Sequence, residues 1–199
     1  MTGGLEEGSH HSMGQHFKLF RCALVGGAFL VGALGAAIPG ARAATNDAAS
    51  VYAPVKAALR HVFIPVALPT TFPLGGASRG THIYAGIEEY SLSATTYIVN
   101  LGFTKDCAGG GACRLGEATG GWTADTPGVL SSAKGGIPIA LRGGMKGTFY
   151  PFTCGASCGD SVVLWHVHGI PYTVSLKAGS RSNVLAMANS AIANTRSAS

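Results

Sequence analysis

His166 and His168 are the residues of this chain best spaced to hold a metal ion. On a β-strand side chains alternate, so rings two residues apart point the same way, an arrangement that can ligate zinc. A third ligand would have to come from His61, His82 or a carboxylate, and spacing alone supplies none of them. The competing reading is a polar solvent face beside a turn, with Trp165 and Val167 directed at the core.

Four cysteines form the second constellation, Cys107, Cys113, Cys154 and Cys158. Five residues separate the first two and three separate the last two. Structural zinc prefers about two to four residues between ligands, which the first gap misses. Both pairs sit in glycine-rich loop sequence, so local disulfides, Cys107 with Cys113 and Cys154 with Cys158, are the expected chemistry among three connectivities. Neither pair is C-x-x-C, so no thioredoxin-like motif is present.

Other motifs carry less. Cys158-Gly159-Asp160-Ser161 is like the segment around a chymotrypsin-type nucleophile, but the glycines and proline that should follow the serine are replaced by Val162-Val163-Leu164. There is no G-x-S-x-G elbow, and the glycine-rich 75–80 lacks the Gly-Lys-Ser/Thr of a phosphate loop. Glu88 and Glu89 are adjacent, so a strand would send them to opposite faces, while Glu117, Asp125 and Asp160 stand apart near loops. No catalytic residue and no cofactor follow from these patterns, and enzymatic activity is the less favoured expectation.

The elements that would position these residues are mostly strands. Asn46 or Ser50 is expected to cap a helix running to about His61, with Pro54 starting or kinking it. Pro65, Pro69 and Pro73 then force an extended path through VFIPVALPTTFP, an edge strand or a strap across a core. Strands are predicted over 81–91, 94–103, 113–123, 137–141, 147–152, 161–167 and 172–177 from β-branched and aromatic content. Arg142-Gly143-Gly144-Met145 and His168-Gly169-Ile170-Pro171 read as hairpin turns, and a last helix is expected at about 182–194. The fold class is α+β: an antiparallel sheet of about six to seven strands flanked by an N-terminal and a C-terminal helix. Aromatics spread along the strands fit packing first, and a ligand-lined sheet second.

Composition points to an address. The chain has 199 residues, 47% hydrophobic and 12% charged, with a mean hydropathy of +0.30. Much of that hydropathy sits in Cys22–Ile38, an uncharged run preceded by Lys18 and Arg21. Ala41-Arg42-Ala43 follows as a small-x-small cleavage site, so residues 1–43 are expected to be an upstream extension and a secretory signal peptide, cut between Ala43 and Ala44. Acidic Glu6 and Glu7 lie ahead of the basic region, and Met13 is the better start for such a signal. The run is short for a stable membrane span, so none is expected after cleavage. Residues 44–199 then form a single exported domain with eleven Lys and Arg against seven Asp and Glu, scattered without the stripe that nucleic-acid binding needs. An exported chain with an even number of cysteines is expected to carry disulfides.

Ile64-Pro65-Val66-Ala67-Leu68-Pro69 with Phe72-Pro73, Tyr97-x-Val99-x-Leu101, and Cys107, Cys113 and Gly116 resemble a pattern in uncharacterised exported bacterial proteins. The stretch with Phe152, Cys154-Gly155-Ala156-x-Cys158, Trp165, Gly169, Tyr172, Val174 and Ala188-Asn189-Ser190-Ala191-Ile192 continues it. Such domains are similar in outline to periplasmic half-barrel carriers of lipoproteins, which pair a curved antiparallel sheet with helices. The resemblance implies a periplasmic or secreted location and that architecture, and it brings no catalytic residues. The expectation is therefore a non-enzymatic binding or interaction module of the envelope, whose partner is a small hydrophobic ligand or another envelope protein. The alternative is a small periplasmic metal-dependent hydrolase using His166 and His168.

Overall fold

The computed structural model describes residues 47–74, 81–87, 89–107, 111–121, 135–155 and 158–195, all within the unit Ala41–Ser199. The expected signal peptide with Ala41, Ala43 and Ala44, and also Glu88 and Asp125, lies outside the described residues.

The N-terminal helical segment is broken where its proline requires. Asp47, rather than Asn46 or Ser50, is the cap: its carboxylate accepts the Ala49 N–H at 3.2 Å. Helix α1 (Ala48–Tyr52) gives way to a 3-10 turn over Ala53–Val55, because Pro54 has no N–H for the α-helical ladder. Helix α2 (Lys56–Leu59) completes the segment.

Seven strands follow: β1 (Tyr84–Gly86), β2 (Tyr97–Gly102), β3 (Arg114–Gly120), β4 (Ile137–Ala140), β5 (Lys146–Tyr150), β6 (Asp160–Val167) and β7 (Ile170–Lys177). They make one antiparallel sheet, so the class is α+β. The spatial order β1-β2-β3-β7-β6-β5-β4 departs from a plain succession of hairpins. Strand β3 pairs with β7, and the next strand in sequence, β4, lies at the far edge of the sheet. The expected strand over 81–91 is cut to three residues: the chain leaves the ladder after Gly86, and Glu89–Ser91 forms a 3-10 turn.

At the other edge β4 holds Pro138. Leu141 N–H donates to the Met145 carbonyl at 2.8 Å, which fixes the phase of the ladder and turns the Pro138 position away from β5. The exposed edge thus lacks a donor where a further strand would pair, a recognised guard against edge association.

The final helix, α3 (Arg181–Ala193), is capped by Ser180, whose Oγ accepts the Asn183 N–H at 3.3 Å. It lies against β6 and β7 and buries Val184, Met187, Ala188 and Ala191. Register places Val99, Ala118, Val174, Val163 and Phe149 in one row on the sheet face that joins this core. Among the described residues no helix is long and apolar enough to cross a membrane.

The proline-rich segment is a strap, and three tyrosines hold it. Tyr172 donates to the Pro65 carbonyl at 2.9 Å, and Tyr52 donates to that of Pro69 at 2.8 Å. Between them the Ala67 N–H donates to the Tyr97 hydroxyl at 2.9 Å, which in turn donates to the Ala67 carbonyl at 3.3 Å. Three alternate strap residues are thus each met by one phenol. Helix α3 adds Ser190, whose Oγ accepts the N–H groups of Thr70 and Thr71, each at 3.1 Å, and Asn194, which donates to Leu68 O at 3.3 Å. Tyr97, Gly120 and Tyr172 are aligned across β2, β3 and β7. The Tyr97 ring lies directly over Gly120, in the space a Cβ would occupy.

Burial pushes the Tyr172 phenol up to about 12 and the Tyr97 and Tyr52 phenols well above their ordinary value of 10.0. Tyr97→Phe leaves a buried backbone N–H without its acceptor, and we expect a loss of about 1–3 kcal/mol in urea unfolding. The raised phenols also set an alkaline limit. The stability Tyr172 contributes by staying neutral is complete below pH 10.0 and is lost as pH rises through about 12. The urea midpoint should therefore fall across that window, and fall less in Tyr172→Phe; a pH-independent midpoint would contradict it.

Candidate functional site

One end of the sheet collects the features that could serve a site. Strands β2, β5 and β7 end there, β3 and β6 begin there, and α3 starts there. Both disulfides close loops at this end. Cys107–Cys113 joins the two sides of the β2–β3 turn with Cα atoms 5.8 Å apart, and Cys154–Cys158 closes the β5–β6 connection with Cα atoms 4.1 Å apart. These are the two local pairings expected from spacing, and they suit an oxidising environment.

Beside the first bridge the ladder slips. Leu101 pairs with Gly116 but Gly102 pairs with Arg114, so Leu115 is an extra residue, a β-bulge in β3. In a regular strand Arg114 and Glu117, three apart, would face opposite sides. The bulge puts them on one face, and Arg114 Nη2 donates to Glu117 Oε1 at 2.8 Å. The same guanidinium donates from Nη1 to Asp160 Oδ1 at 2.7 Å, and its Nη2 lies 2.7 Å from Oδ2. Ser175 ties the group to the backbone: its hydroxyl donates to Asp160 Oδ2 at 2.7 Å and accepts the Glu117 N–H at 3.1 Å. Burial pulls the Arg114 pKa down, but the fields of Glu117 and Asp160 and their hydrogen bonds outweigh it and raise it above its ordinary value.

Glu117 and Asp160, which stand apart in the sequence, are therefore drawn together, and Arg114 was the missing partner. Only the register of β3, β6 and β7 brings the three into reach, and residue spacing holds no trace of that. Both carboxylates are committed to one guanidinium across three strands, which makes the group a brace for this end of the sheet. One Arg114 donor, Nε–H, is buried with no hydrogen-bond partner among the described residues.

On the core-facing side of this end lies a cleft of about 430 Å³. Pro73, Leu74, Phe103, Leu115 and Leu176 give it an apolar wall, and Ser180 and Asn183 at the start of α3 give it a polar rim. Phe103 is 37% exposed at the mouth of this cleft. Ala178, also in the lining, has φ of 48°, a left-handed conformation uncommon outside glycine. The cleft is open to solvent, and Lys177 and Thr81 also line it.

The histidine pair sits at the opposite end of the sheet. His166 is exposed on β6, but His168 has left the strand: with φ of 50° it forms a two-residue turn with Gly169, whose φ is 80°. The expected four-residue turn is thus shorter, because two successive left-handed residues make the tight turn that suits strand twist, and the second is a glycine. The alternation that would align the two rings does not extend to His168. Among the described residues no group of three or more His, Cys, Asp or Glu could hold a metal ion. Ser161 is fully buried, donating to Gly179 O at 2.6 Å and accepting the Phe152 N–H at 3.3 Å, which is the role of a brace and leaves no exposed nucleophile.

No family model, curated protein or solved structure matches the chain. Arg114→Met, which strands two neighbouring carboxylates, should cost about 1–3 kcal/mol by chemical denaturation, given that the group is partly solvated. Asp160→Asn should cost less, since it removes one of two acceptors and keeps the shape; an equal or larger loss for Asp160→Asn would refute the brace.

Proposed function

We propose that the chain is an exported envelope protein, periplasmic or secreted, that acts as a non-enzymatic binding module for a small amphipathic molecule. Its relatives on this reading are the uncharacterised exported bacterial proteins it resembles. Residues 1–43 are the upstream extension and signal peptide, removed after Ala43, and 44–199 form the working domain. Two disulfides in so short a chain support the export reading, because thiols stay reduced in the cytosol.

The observation that carries the binding role is the cleft at the end of the sheet, whose Phe103 and Leu115 wall lies beside the Cys107–Cys113 bond and the Arg114 brace. Fixing the walls before a ligand arrives lowers the ordering cost of binding. An apolar wall beside a polar rim selects a molecule with an apolar body and one polar head.

Native mass spectrometry of protein expressed to the periplasm tests the proposal. The expected species begins at Ala44, is lighter by two disulfides, and carries a co-purified small molecule that Leu115→Asp removes. A mass that retains residues 13–43 rules out the processing. Stoichiometric metal lost in His166→Ala/His168→Ala would favour the metal-dependent hydrolase instead.

A further inference from the structure

The Cys107–Cys113 bond sits on the irregularity that shapes the cleft. Its Cys107 end packs on Gly102: a Cβ at that glycine would stand 2.6 Å from the Cys107 Cβ and 2.9 Å from its Sγ. On the far side Cys113 O accepts the Phe103 N–H at 2.8 Å, and Lys177 Nζ donates to Gly111 O within the same ring at 2.7 Å. Gly102 precedes Phe103, and Cys113 precedes Arg114 and Leu115. The bridge therefore spans the two residues of the cleft wall and the bulge between them.

A bulged pairing has a regular alternative, the one in which Gly102 opposes Leu115. A shift to it turns the residues around the bulge to the other face. Leu115 leaves the cleft wall and Arg114 leaves its two carboxylates. The short covalent ring ties the ends of β2 and β3 together directly beside the bulge.

We propose that this disulfide is a redox-controlled lock on the cleft: oxidised, it keeps Leu115 and Arg114 aimed as observed, and reduction by a dithiol releases both. The inference rests on the cleft being the ligand site. In the release step a dithiol thiolate attacks one sulfur, the Cys107–Cys113 bond breaks, and a mixed disulfide forms. The second thiol of the reductant displaces the protein sulfur, so the protein gains two electrons and two protons as two thiols, and the reductant leaves as its own disulfide. The second bridge differs. Its loop is already held by the Gly159 N–H to Thr153 O bond of 2.9 Å, and among the described residues it meets the lining through backbone, at Ala178 N–H to Gly159 O at 3.1 Å, away from Phe103 and Leu115.

The test compares Cys107→Ser/Cys113→Ser and Cys154→Ser/Cys158→Ser with the oxidised and the dithiothreitol-reduced protein, using the neutral fluorophore N-phenyl-1-naphthylamine and amide hydrogen exchange. Loss of the first bridge should weaken the fluorophore about fivefold or more. It should speed exchange of the Phe103 amide by about tenfold or more, with Val163 and Val174 still protected as proof of fold. Loss of the second bridge should change both by less than about twofold. Equal effects from the two bridges, or an unchanged Phe103 amide on reduction, overturn the lock. Failure of the fluorophore to bind the oxidised protein, with the Phe103 amide still responding to reduction, removes the proposed ligand site instead and confines the lock to the Arg114 brace.

Discussion

The fold depends on how an extended, proline-rich backbone is satisfied inside a core. A buried carbonyl or N–H without a partner is costly, and a segment with prolines at 65, 69 and 73 cannot run a full strand ladder. The solution is side-chain hydroxyls. Tyr172, Tyr97 and Tyr52 meet Pro65, Ala67 and Pro69 in turn, and Ser190 and Asn194 take over toward Leu68, Thr70 and Thr71. Each tyrosine also brings a large ring into the core, so polar satisfaction and apolar burial are delivered by the same residues. This explains the small residue at 120: two tall aromatics can flank β3 and reach the strap only if the strand between them is low, and the Tyr97 ring fills what the glycine leaves open.

That arrangement was half legible in the sequence. The prolines announce a strap, and the spacing of β-branched and aromatic residues announces six of the seven strands within a few residues. The capping serine and apolar spacing announce the last helix. Local rules suffice where the cause is local, and a disulfide between cysteines a few residues apart is local too. What clasps the strap is not. Tyr52, Tyr97 and Tyr172 are separated by long stretches of chain, and only the pairing of β3 with β7 sets the last two astride Gly120. A hairpin succession predicts each neighbour from the one before, but gives no reason for the chain to leave β3 for the far edge.

The candidate site was less legible still. Its brace requires one extra residue in β3, and a bulge reverses the facing of every residue beyond it relative to strict alternation. Reading alternation literally separates Arg114 from Glu117, and reading loops literally isolates Asp160. The same limit acts on the histidines. His166-x-His168 aligns two rings only if both belong to a strand, and a tight turn ending β6 at Val167 breaks the premise. In each case a single residue of register decides whether side chains meet.

The two ends of the sheet are stabilised by different means, and the difference bears on function. At the strap end, buried tyrosines and apolar packing hold the chain, so cross-links would add little. At the other end the loops are rich in glycine and carry few large apolar residues, and there the cysteines lie. A disulfide closing so short a loop contributes only about 2 kcal/mol through the unfolded chain, too little to explain the stability of the whole domain. Its larger effect is local, since it removes conformations that a glycine-rich turn would otherwise visit. Covalent ties spent on loop shape, an ion group spanning three strands and a partly exposed Phe103 all fall where the cleft opens. Neither disulfide reinforces the middle of the sheet, where the buried rows of β2, β3, β7 and β6 already pack; both act on the geometry of loops and strand ends that have little apolar packing of their own.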